Sequence, residues 1–168
     1  MVYVISALVG LGFLGLDQWL KAYVTAHIPL GEAQPLLPGF VELRTVHNFG
    51  AAWSSFSGMR WLLVAFTSLI LILVVVLLAR RIVRHPLGVV AGCLLLSGGI
   101  GNLIDRIRQG FVVDMFQFQF WPSYPVFNVA DICVVAGAIL AVVYYLWFYE
   151  KYDKKQEDGY ETNHYTGR

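Results

Sequence analysis

Two aspartates in this chain lie next to apolar sequence and have no neighbouring cation. Asp114 is part of "GFVVDMF", and Asp131 precedes the apolar run "ICVVAGAILAVV". Two carboxyl groups held close together resist ionising at the same time, so they share one proton. The ionised partner can accept a proton from a water that attacks a carbonyl, and the protonated partner can polarise that carbonyl and protonate the leaving amine. The residue types favour aspartic-protease chemistry, while a purely structural role for both aspartates stays open.

Other polar residues accompany the two aspartates at helical spacings. Three pairs stand three or four residues apart, which puts both members of a pair on one face of a helix. The pairs are Asp17/Lys21, Asn102/Asp105 and Asn128/Asp131. Together with Asn48 and Arg106, they come from distant parts of the chain but fall at one level of the expected membrane protein. An ionisable residue at that depth usually faces the interior of a helix bundle.

Plainer explanations exist for several of these residues. Asp17 with Lys21 is the pattern of an ion pair at a helix end, and Asp105 beside Arg106 suggests a structural pair or cap. Asn48 can simply shape a turn, although the small residues after it would let another backbone approach closely. The four histidines are scattered along the chain, so we expect no metal site and no cofactor.

The elements that must position these residues follow from composition. Of 168 residues, 58% are hydrophobic and 14% are charged, whereas about a quarter are charged in a typical soluble domain. The net charge of +1 gives no basic field for nucleic acid. Four apolar runs are long enough to cross a hydrocarbon core as helices. They cover residues 2–20, 61–79, 87–104 and 126–148. The predicted fold is a mainly α membrane protein, with residues 1–150 forming a bundle of four transmembrane helices.

Basic residues in short loops set the expected orientation, because such loops stay in the cytoplasm. They are Arg80, Arg81 and Arg84 between the second and third runs, and Lys151, Lys154 and Lys155 after the fourth. Both termini are then cytoplasmic, and segments 22–59 and 108–124 lie outside. The charged tail, residues 151–168, lacks periodicity and is typical of a disordered segment.

Two short stretches of the outer segments alternate between apolar and polar residues, as strands do. They are "VELRT", from Val41, and "FQFQFW", from Phe116. An open strand edge cannot lie in lipid. We therefore expect a small extracytoplasmic β-strand and loop element above the bilayer or on its surface. For the second stretch, an ordinary interfacial loop is an equal alternative.

Five sequence blocks carry a resemblance to a known family. "LDQWLK", "HNFGAAW", "GNLIDR", "GFVVDMF" and "FNVADICV" occur in the order and spacing of the lipoprotein signal peptidases (signal peptidase II), over about residues 14–140. The resemblance implies an aspartic endopeptidase that removes the signal peptide of a prolipoprotein just before a diacylglyceryl-modified cysteine. It also implies a multi-pass protein of the bacterial inner membrane, with its active site at the outer face.

The resemblance assigns roles to residues by position. Asp114 and Asp131 become the catalytic pair. The residues that would support this pair or bind the substrate are Asp17, Lys21, Asn48, Gly50, Asn102, Asp105, Arg106 and Asn128. Expected partners are lipidated prolipoproteins and membrane phospholipid, without nucleic acid, and the expected state is a monomer. The chain has His47 where the family often has an aromatic residue and Met115 where it commonly has Phe, which affects only the fine shape of the pocket.

Two other classes of function fit this sequence less well than a peptidase. A small transporter or proton relay would string ionisable groups through the depth of the bilayer, whereas the inner halves of the four runs carry almost none. A non-catalytic scaffold would not need two unpaired aspartates at one level.

Overall fold

The chain forms a bundle of four long helices with a small sheet at one end. The computed structural model describes residues 1–51 and 55–154. The helices are α1 (Val2–His27), α2 (Arg60–Ala79), α3 (Pro86–Gln109) and α4 (Val129–Tyr144), and a π-helical extension (Tyr145–Lys154) continues α4. Each of the four, the last counted with its extension, is long and apolar enough to cross a membrane. The predicted fold class is confirmed.

Helix α3 lies at the centre of the bundle and α2 at its edge. Within the most apolar window of each helix, 44% of α3 is buried but only 6% of α2. The sequence of α2, "RWLLVAFTSLILILVVVLLA", is apolar all round, as expected of a helix surrounded by lipid rather than water.

Small residues let α1 and α4 approach α3 closely at the end of the bundle that carries the sheet. A Cβ atom at Gly98 would overlap the carbonyl oxygen of Ala130 on α4. A Cβ atom at Gly101 would lie 2.8 Å from Oδ2 of Asp17 on α1. Glycine at these positions leaves room for a neighbouring backbone and for a carboxylate.

The sheet has three antiparallel strands in the order β1-β2-β3. They are β1 (Ala33–Leu37), β2 (Val41–Asn48) and β3 (Val112–Phe118). Val113 and Met115 of β3 pack against Val24 and Ile28 at the end of α1 in a buried apolar cluster. Because side chains alternate along a strand, Asp114 points to the opposite face of β3, away from this cluster.

The structure confirms one predicted strand and moves the other. β2 contains the predicted stretch from Val41, but β3 begins at Val112 and ends at Phe118, instead of beginning at Phe116. The first four residues of β3 are all buried, and a strand buried on both faces shows no alternation. β1 was not predicted because "AQPLL" has no alternation and contains Pro35, which is tolerated at the edge of a sheet.

Two of the predicted helices, α1 and α3, were also too short. α1 continues to His27 and α3 to Gln109, so residues 22–27 and 108–109 are helical rather than part of the outer segments. The apolar runs end in the sequence where polar residues such as Lys21 and Asp105 begin. These side chains form ion pairs inside the bundle, so the helices continue past them. α4 begins at Val129 rather than at residue 126.

At the opposite end of the bundle, the buried carboxylate of Asp153 holds the start of α3. Its Oδ2 accepts hydrogen bonds from the backbone N–H groups of Arg84 (3.2 Å) and His85 (3.3 Å) and from the hydroxyl of Tyr144. A negative charge is favourable at the N-terminus of a helix. The expectation of disorder from residue 151 is therefore wrong for 151–154, which are helical. The rest of the tail lies outside the described residues.

Removing this carboxylate should destabilise the protein. In Asp153→Ala the two backbone N–H groups and the Tyr144 hydroxyl lose their acceptor, and a buried donor left unsatisfied costs about 1–3 kcal/mol. We expect a loss of about 2 kcal/mol in the free energy of unfolding, measured as a lower Tm of the purified protein in detergent. Glu150→Ala is the matched control, since its 3.6 Å pair with Lys154 is exposed and contributes little. Equal Tm values for the two variants would contradict this role of Asp153.

Candidate active site

A buried lysine lies at the centre of the polar residues near the sheet. Lys21 is only 3% exposed. Its Nζ atom lies 2.8 Å from Oδ2 of Asp17 and 2.9 Å from Oδ2 of Asp105. It also donates a hydrogen bond to Oδ1 of Asn102 at 3.1 Å. All three donors of the ammonium group are used, and they join α1 to α3.

The predicted pair of Asp17 with Lys21 is confirmed, but the suggested pairing of Asp105 with Arg106 is wrong. Consecutive helical residues do not face each other, so Asp105 turns to Lys21. Arg106 turns to the other side and donates from Nη2 to the carbonyl oxygen of Gly50 at 2.8 Å. Arg106 thereby holds the loop after β2 against α3.

Gln18 belongs to this cluster and was missed by the sequence analysis. Its Nε2 atom lies 3.2 Å from Oδ2 of Asp17, 3.2 Å from Oδ1 of Asp105 and 3.3 Å from the carbonyl oxygen of Gly101. The available signal was its position three residues before Lys21, which puts both side chains on one face of α1.

Asp17 also connects the cluster to α4. Its Oδ1 atom accepts a hydrogen bond from the backbone N–H of Ala130 at 2.9 Å. That N–H lies in the first turn of α4, where backbone donors have no partner within the helix. One carboxylate thus touches α1, α3 and α4, and it fixes where the first turn of α4 lies.

Two asparagines form a chain of hydrogen bonds between Lys21 and the two candidate catalytic aspartates. Asn102 donates from Nδ2 to Oδ1 of Asp131 at 2.8 Å. The Nδ2 atom of Asn128 lies 3.1 Å from Oδ1 of Asn102 and 2.7 Å from Oδ1 of Asp114. The amides therefore connect the buried ion pairs to both carboxyl groups.

Asn128 and Asp131 form a capping box at the start of α4. The backbone N–H of Asp131 donates to Oδ1 of Asn128 at 2.8 Å, and the backbone N–H of Asn128 donates to Oδ2 of Asp131 at 3.1 Å. This reciprocal arrangement satisfies two backbone donors at a helix N-terminus. It confirms the prediction that Asn128 and Asp131 lie on one face of a helix and close together. It also fixes the orientation of the Asp131 carboxyl group.

Asn48 both shapes a turn and contacts Asp114. Its Oδ1 atom accepts a hydrogen bond from the backbone N–H of Gly50 at 2.9 Å, and its Nδ2 atom donates to Oδ2 of Asp114 at 3.0 Å. The turn suggested by the sequence is confirmed. The contact with Asp114 comes from the pairing of β2 with β3, which local spacing does not reveal.

Asp114 is buried and Asp131 is partly buried, but neither forms an ion pair with any of the described residues. In the described ranges, 1–51 and 55–154, the buried ion pairs all involve Lys21. Burial, and after it the charge of the Asp131 carboxylate, raises the pKa of Asp114 to about 7, against the opposing hydrogen bonds from Asn48 and Asn128. The pair can therefore hold a proton near neutral pH, offering one group that donates a proton and one that accepts it.

All ten residues singled out in the sequence meet at this end of the bundle. They form two connected parts. The ion-pair part contains Asp17, Lys21 and Asp105, and the amide part contains Asn48, Asn102 and Asn128 around Asp114 and Asp131. Gly50 and Arg106 hold the adjoining loop.

Comparisons with known proteins agree on one family. The family model for signal peptidase (SPase) II matches residues 9–147. A lipoprotein signal peptidase of Enterococcus faecalis is 38% identical over 157 residues, covering 94% of this chain and 94% of that protein. A lipoprotein signal peptidase of Lactococcus lactis is 39% identical over 127 residues, covering 76% of this chain and 83% of that protein.

Two solved structures, both described as bacterial membrane enzymes, are similar in fold. One has a TM-score of 0.80 and covers 84% of this chain and 87% of its own, and the other has a TM-score of 0.78 and covers 86% and 94%. Each is 30% identical in sequence. With its four membrane-spanning helices and a family match over most of its length, the chain belongs to the signal peptidase II family.

Proposed function

We propose that this protein is an aspartic endopeptidase that removes signal peptides from diacylglyceryl-modified bacterial prolipoproteins, cutting just before the lipidated cysteine. Membership of the family supports the removal of lipoprotein signal peptides. The observation that carries the aspartic mechanism is the contact of Asn128 with both Asp114 and Asp131, two carboxyl groups that form no ion pair in the part of the chain that the structure describes.

The proposed reaction uses the pair as one acid–base unit. The ionised carboxylate takes a proton from a water molecule as the oxygen of that water attacks the scissile carbonyl carbon. The protonated carboxyl donates a hydrogen bond to the carbonyl oxygen, where negative charge develops. Collapse of the tetrahedral intermediate breaks the C–N bond, and a carboxyl proton goes to the leaving amine. The raised pKa of Asp114, caused mainly by burial, supports a shared proton at neutral pH.

The remaining residues would hold the pair in place rather than take part in proton transfer. Asn48, Asn102 and Asn128 direct N–H groups at the two carboxyl groups. Such hydrogen bonds are pre-organised by the helices and the sheet, and they would limit reorganisation during the reaction. Lys21 orients Asn102 through a single hydrogen bond.

The proposed orientation puts the site at the outer face of the cytoplasmic membrane and both termini inside. The basic loop around Arg80, Arg81 and Arg84 lies between α2 and α3, at the end of the bundle opposite the sheet. Positive residues in short loops favour the cytoplasmic side. Residues 1–150 would then form the whole peptidase domain, working as a monomer in contact with phospholipid.

Replacing either aspartate of the pair should abolish cleavage. An amide can neither accept nor release the proton, and general acid–base catalysis contributes about 10²–10⁴-fold. We therefore expect Asp114→Asn and Asp131→Asn each to lower turnover of a lipidated precursor at least about a hundredfold. The double variant should be hardly worse, since residues that act as one unit are not additive. The measurement is cleavage by purified protein, followed by a mobility shift of the precursor.

The control is Glu42→Gln, which likewise replaces a carboxylate by an amide. Glu42 lies on β2, and its carboxylate accepts a hydrogen bond from Gln119. It should keep the turnover of the unmodified protein. Near-normal turnover in Asp114→Asn or Asp131→Asn would refute the proposal. So would a loss of activity that accompanies a collapse of the Tm, because the aspartates would then be structural.

The orientation has a separate test. A reporter enzyme that is active only outside the cytoplasm should stay inactive when fused after His85, between α2 and α3. The same reporter fused after Glu32, between α1 and β1, should be active. The reverse pattern would put the sheet and both aspartates on the cytoplasmic side and exclude the proposed active-site face.

A further inference from the structure

A polar pocket lies between the C-terminal ends of α1 and α3, on the other face of β3 from Asp114. Its volume is about 390 Å³, which is within the usual range of small-molecule sites. Val113 of β3 forms part of its wall, and neighbouring side chains of a strand point to opposite faces. The proposed chemistry of Asp114 does not use this pocket. Its polar lining residues are Gln18, Lys21, Thr25, Asp105, Arg108 and Gln109.

The inner end of the pocket has an excess of negative charge. Lys21 and Asp105 are buried there, 3% and 5% exposed. The ion-pair cluster that contains them has two carboxylates, Asp17 and Asp105, for one ammonium group. Gln18 directs its N–H₂ group at these carboxylates, which leaves its side-chain oxygen as an acceptor. This end of the pocket therefore favours a second cationic group that can donate hydrogen bonds.

The two helices that flank the pocket add to this preference. α1 ends at His27 and α3 at Gln109, so Thr25 and Arg108 lie in the last turns of their helices. The C-terminus of a helix carries partial negative charge and favours a cation within about one turn. Two such termini lie beside the same pocket.

The mouth of the pocket has the opposite charge. Arg108 is exposed, and it forms no ion pair within residues 1–51 and 55–154. A guanidinium group matches the geometry of phosphate oxygens with two parallel hydrogen bonds. Gln109, also exposed, adds an amide donor beside it. The mouth therefore favours a phosphate group, while the interior favours a cation.

Aromatic residues next to the pocket indicate its depth in the membrane. Trp19 and Tyr23 alternate along α1 with the pocket residues, and they are 61% and 43% exposed. Their rings stack with centroids 5.9 Å apart. Exposed tryptophan and tyrosine residues are typical of the interface between membrane and water, at the level of the lipid headgroups. A ligand of this pocket can therefore come from the membrane itself.

We propose that the pocket binds the headgroup of a zwitterionic phospholipid that has a primary ammonium group. The ammonium lies inside, near Asp105 and Gln18, and the phosphate lies at Arg108. An anionic headgroup would bring no cation to the buried carboxylates, and a quaternary ammonium has no N–H to donate. The bound lipid is not the substrate, so this inference goes beyond the proposed function. Because the headgroup contacts both α1 and α3, it stabilises the folded protein by mass action.

The test titrates the purified protein in detergent with single lipids and counts bound lipids by native mass spectrometry. The lipids are phosphatidylethanolamine, phosphatidylcholine and phosphatidylglycerol with identical acyl chains. O-Phosphoethanolamine, the same headgroup without its lipid, is the fourth ligand. Arg108→Gln removes the guanidinium at the mouth, and Ala22→Trp puts a bulky side chain into the pocket from an exposed position of α1. Arg80→Gln is the matched control, because Arg80 is exposed at the other end of the bundle.

We expect the unmodified protein to bind one phosphatidylethanolamine at least about tenfold more tightly than either other lipid, since hydrogen bonds to charged groups are worth that factor or more. Arg108→Gln and Ala22→Trp should each weaken this binding about tenfold. Arg80→Gln should not change it. The Tm should rise with phosphatidylethanolamine in the unmodified protein and in Arg80→Gln, but less in the two pocket variants. Ala22→Trp decides the matter if Arg108→Gln does not fold.

Three outcomes would overturn the inference. Equal affinity for phosphatidylglycerol would mean that Arg108 binds a phosphate and the ammonium has no role. Equal affinity for O-phosphoethanolamine would make the pocket a site for a soluble zwitterion rather than for a lipid. Equal binding of all three lipids, unchanged in both pocket variants, would mean that lipid covers the helices without a specific site. No cleavage is measured, so none of these results bears on the proposed function.

Discussion

The ion pairs of the site and the orientation of Asn102 depend on the buried ammonium of Lys21. A buried charge is costly unless it is paired and hydrogen-bonded, and Lys21 meets this requirement with Asp17, Asp105 and Asn102. Removing any one partner would leave an uncompensated group inside the bundle. Because the three partners lie on α1 and α3, the ion pairs also fix how these two helices pack.

The direction of the amide hydrogen bonds follows from the same interaction. Lysine can only donate, so the carbonyl oxygen of Asn102 must face Lys21, and its N–H₂ group is then directed at Asp131. Asn128 also donates to that oxygen, and it contacts Asp114 from the same nitrogen. Lys21 thus forms its ion pairs with Asp17 and Asp105, while the proposed catalytic pair receives hydrogen bonds from neutral amides. This division explains how two carboxyl groups can lie near a lysine and still lack an ion pair.

The sequence predicted the four helices, strand β2 and ten residues that meet at one end of the bundle, but it missed Gln18 and some of the contacts. Long apolar runs and polar residues at helical spacing are local signals, and they identified Asp17, Lys21 and Asp131. Contacts between distant elements have no such signal, which is why Asp105 was paired with the wrong residue. β1 and the first half of β3 were missed because edge position and burial on both faces remove the alternating pattern. Gln18 was missed because a neutral amide is common at helix surfaces, and the sequence does not show that its partners are buried carboxylates.

The central claim is that Asp114 and Asp131 share a proton at neutral pH, because they are largely buried and form no ion pair within residues 1–51 and 55–154. It is tested most directly by a carbon NMR titration of the protein with labelled aspartate carboxyl carbons. Since burial and the Asp131 carboxylate raise the pKa of Asp114 to about 7, one signal should titrate near neutral pH, and it should be absent in Asp114→Asn. In Asp131→Asn the pKa of Asp114 should fall but remain above its ordinary value, because burial is unchanged. If every aspartate signal were fully ionised by pH 5, roughly one unit above the ordinary pKa of aspartate, the pair would hold no proton at neutral pH and the account would be contradicted.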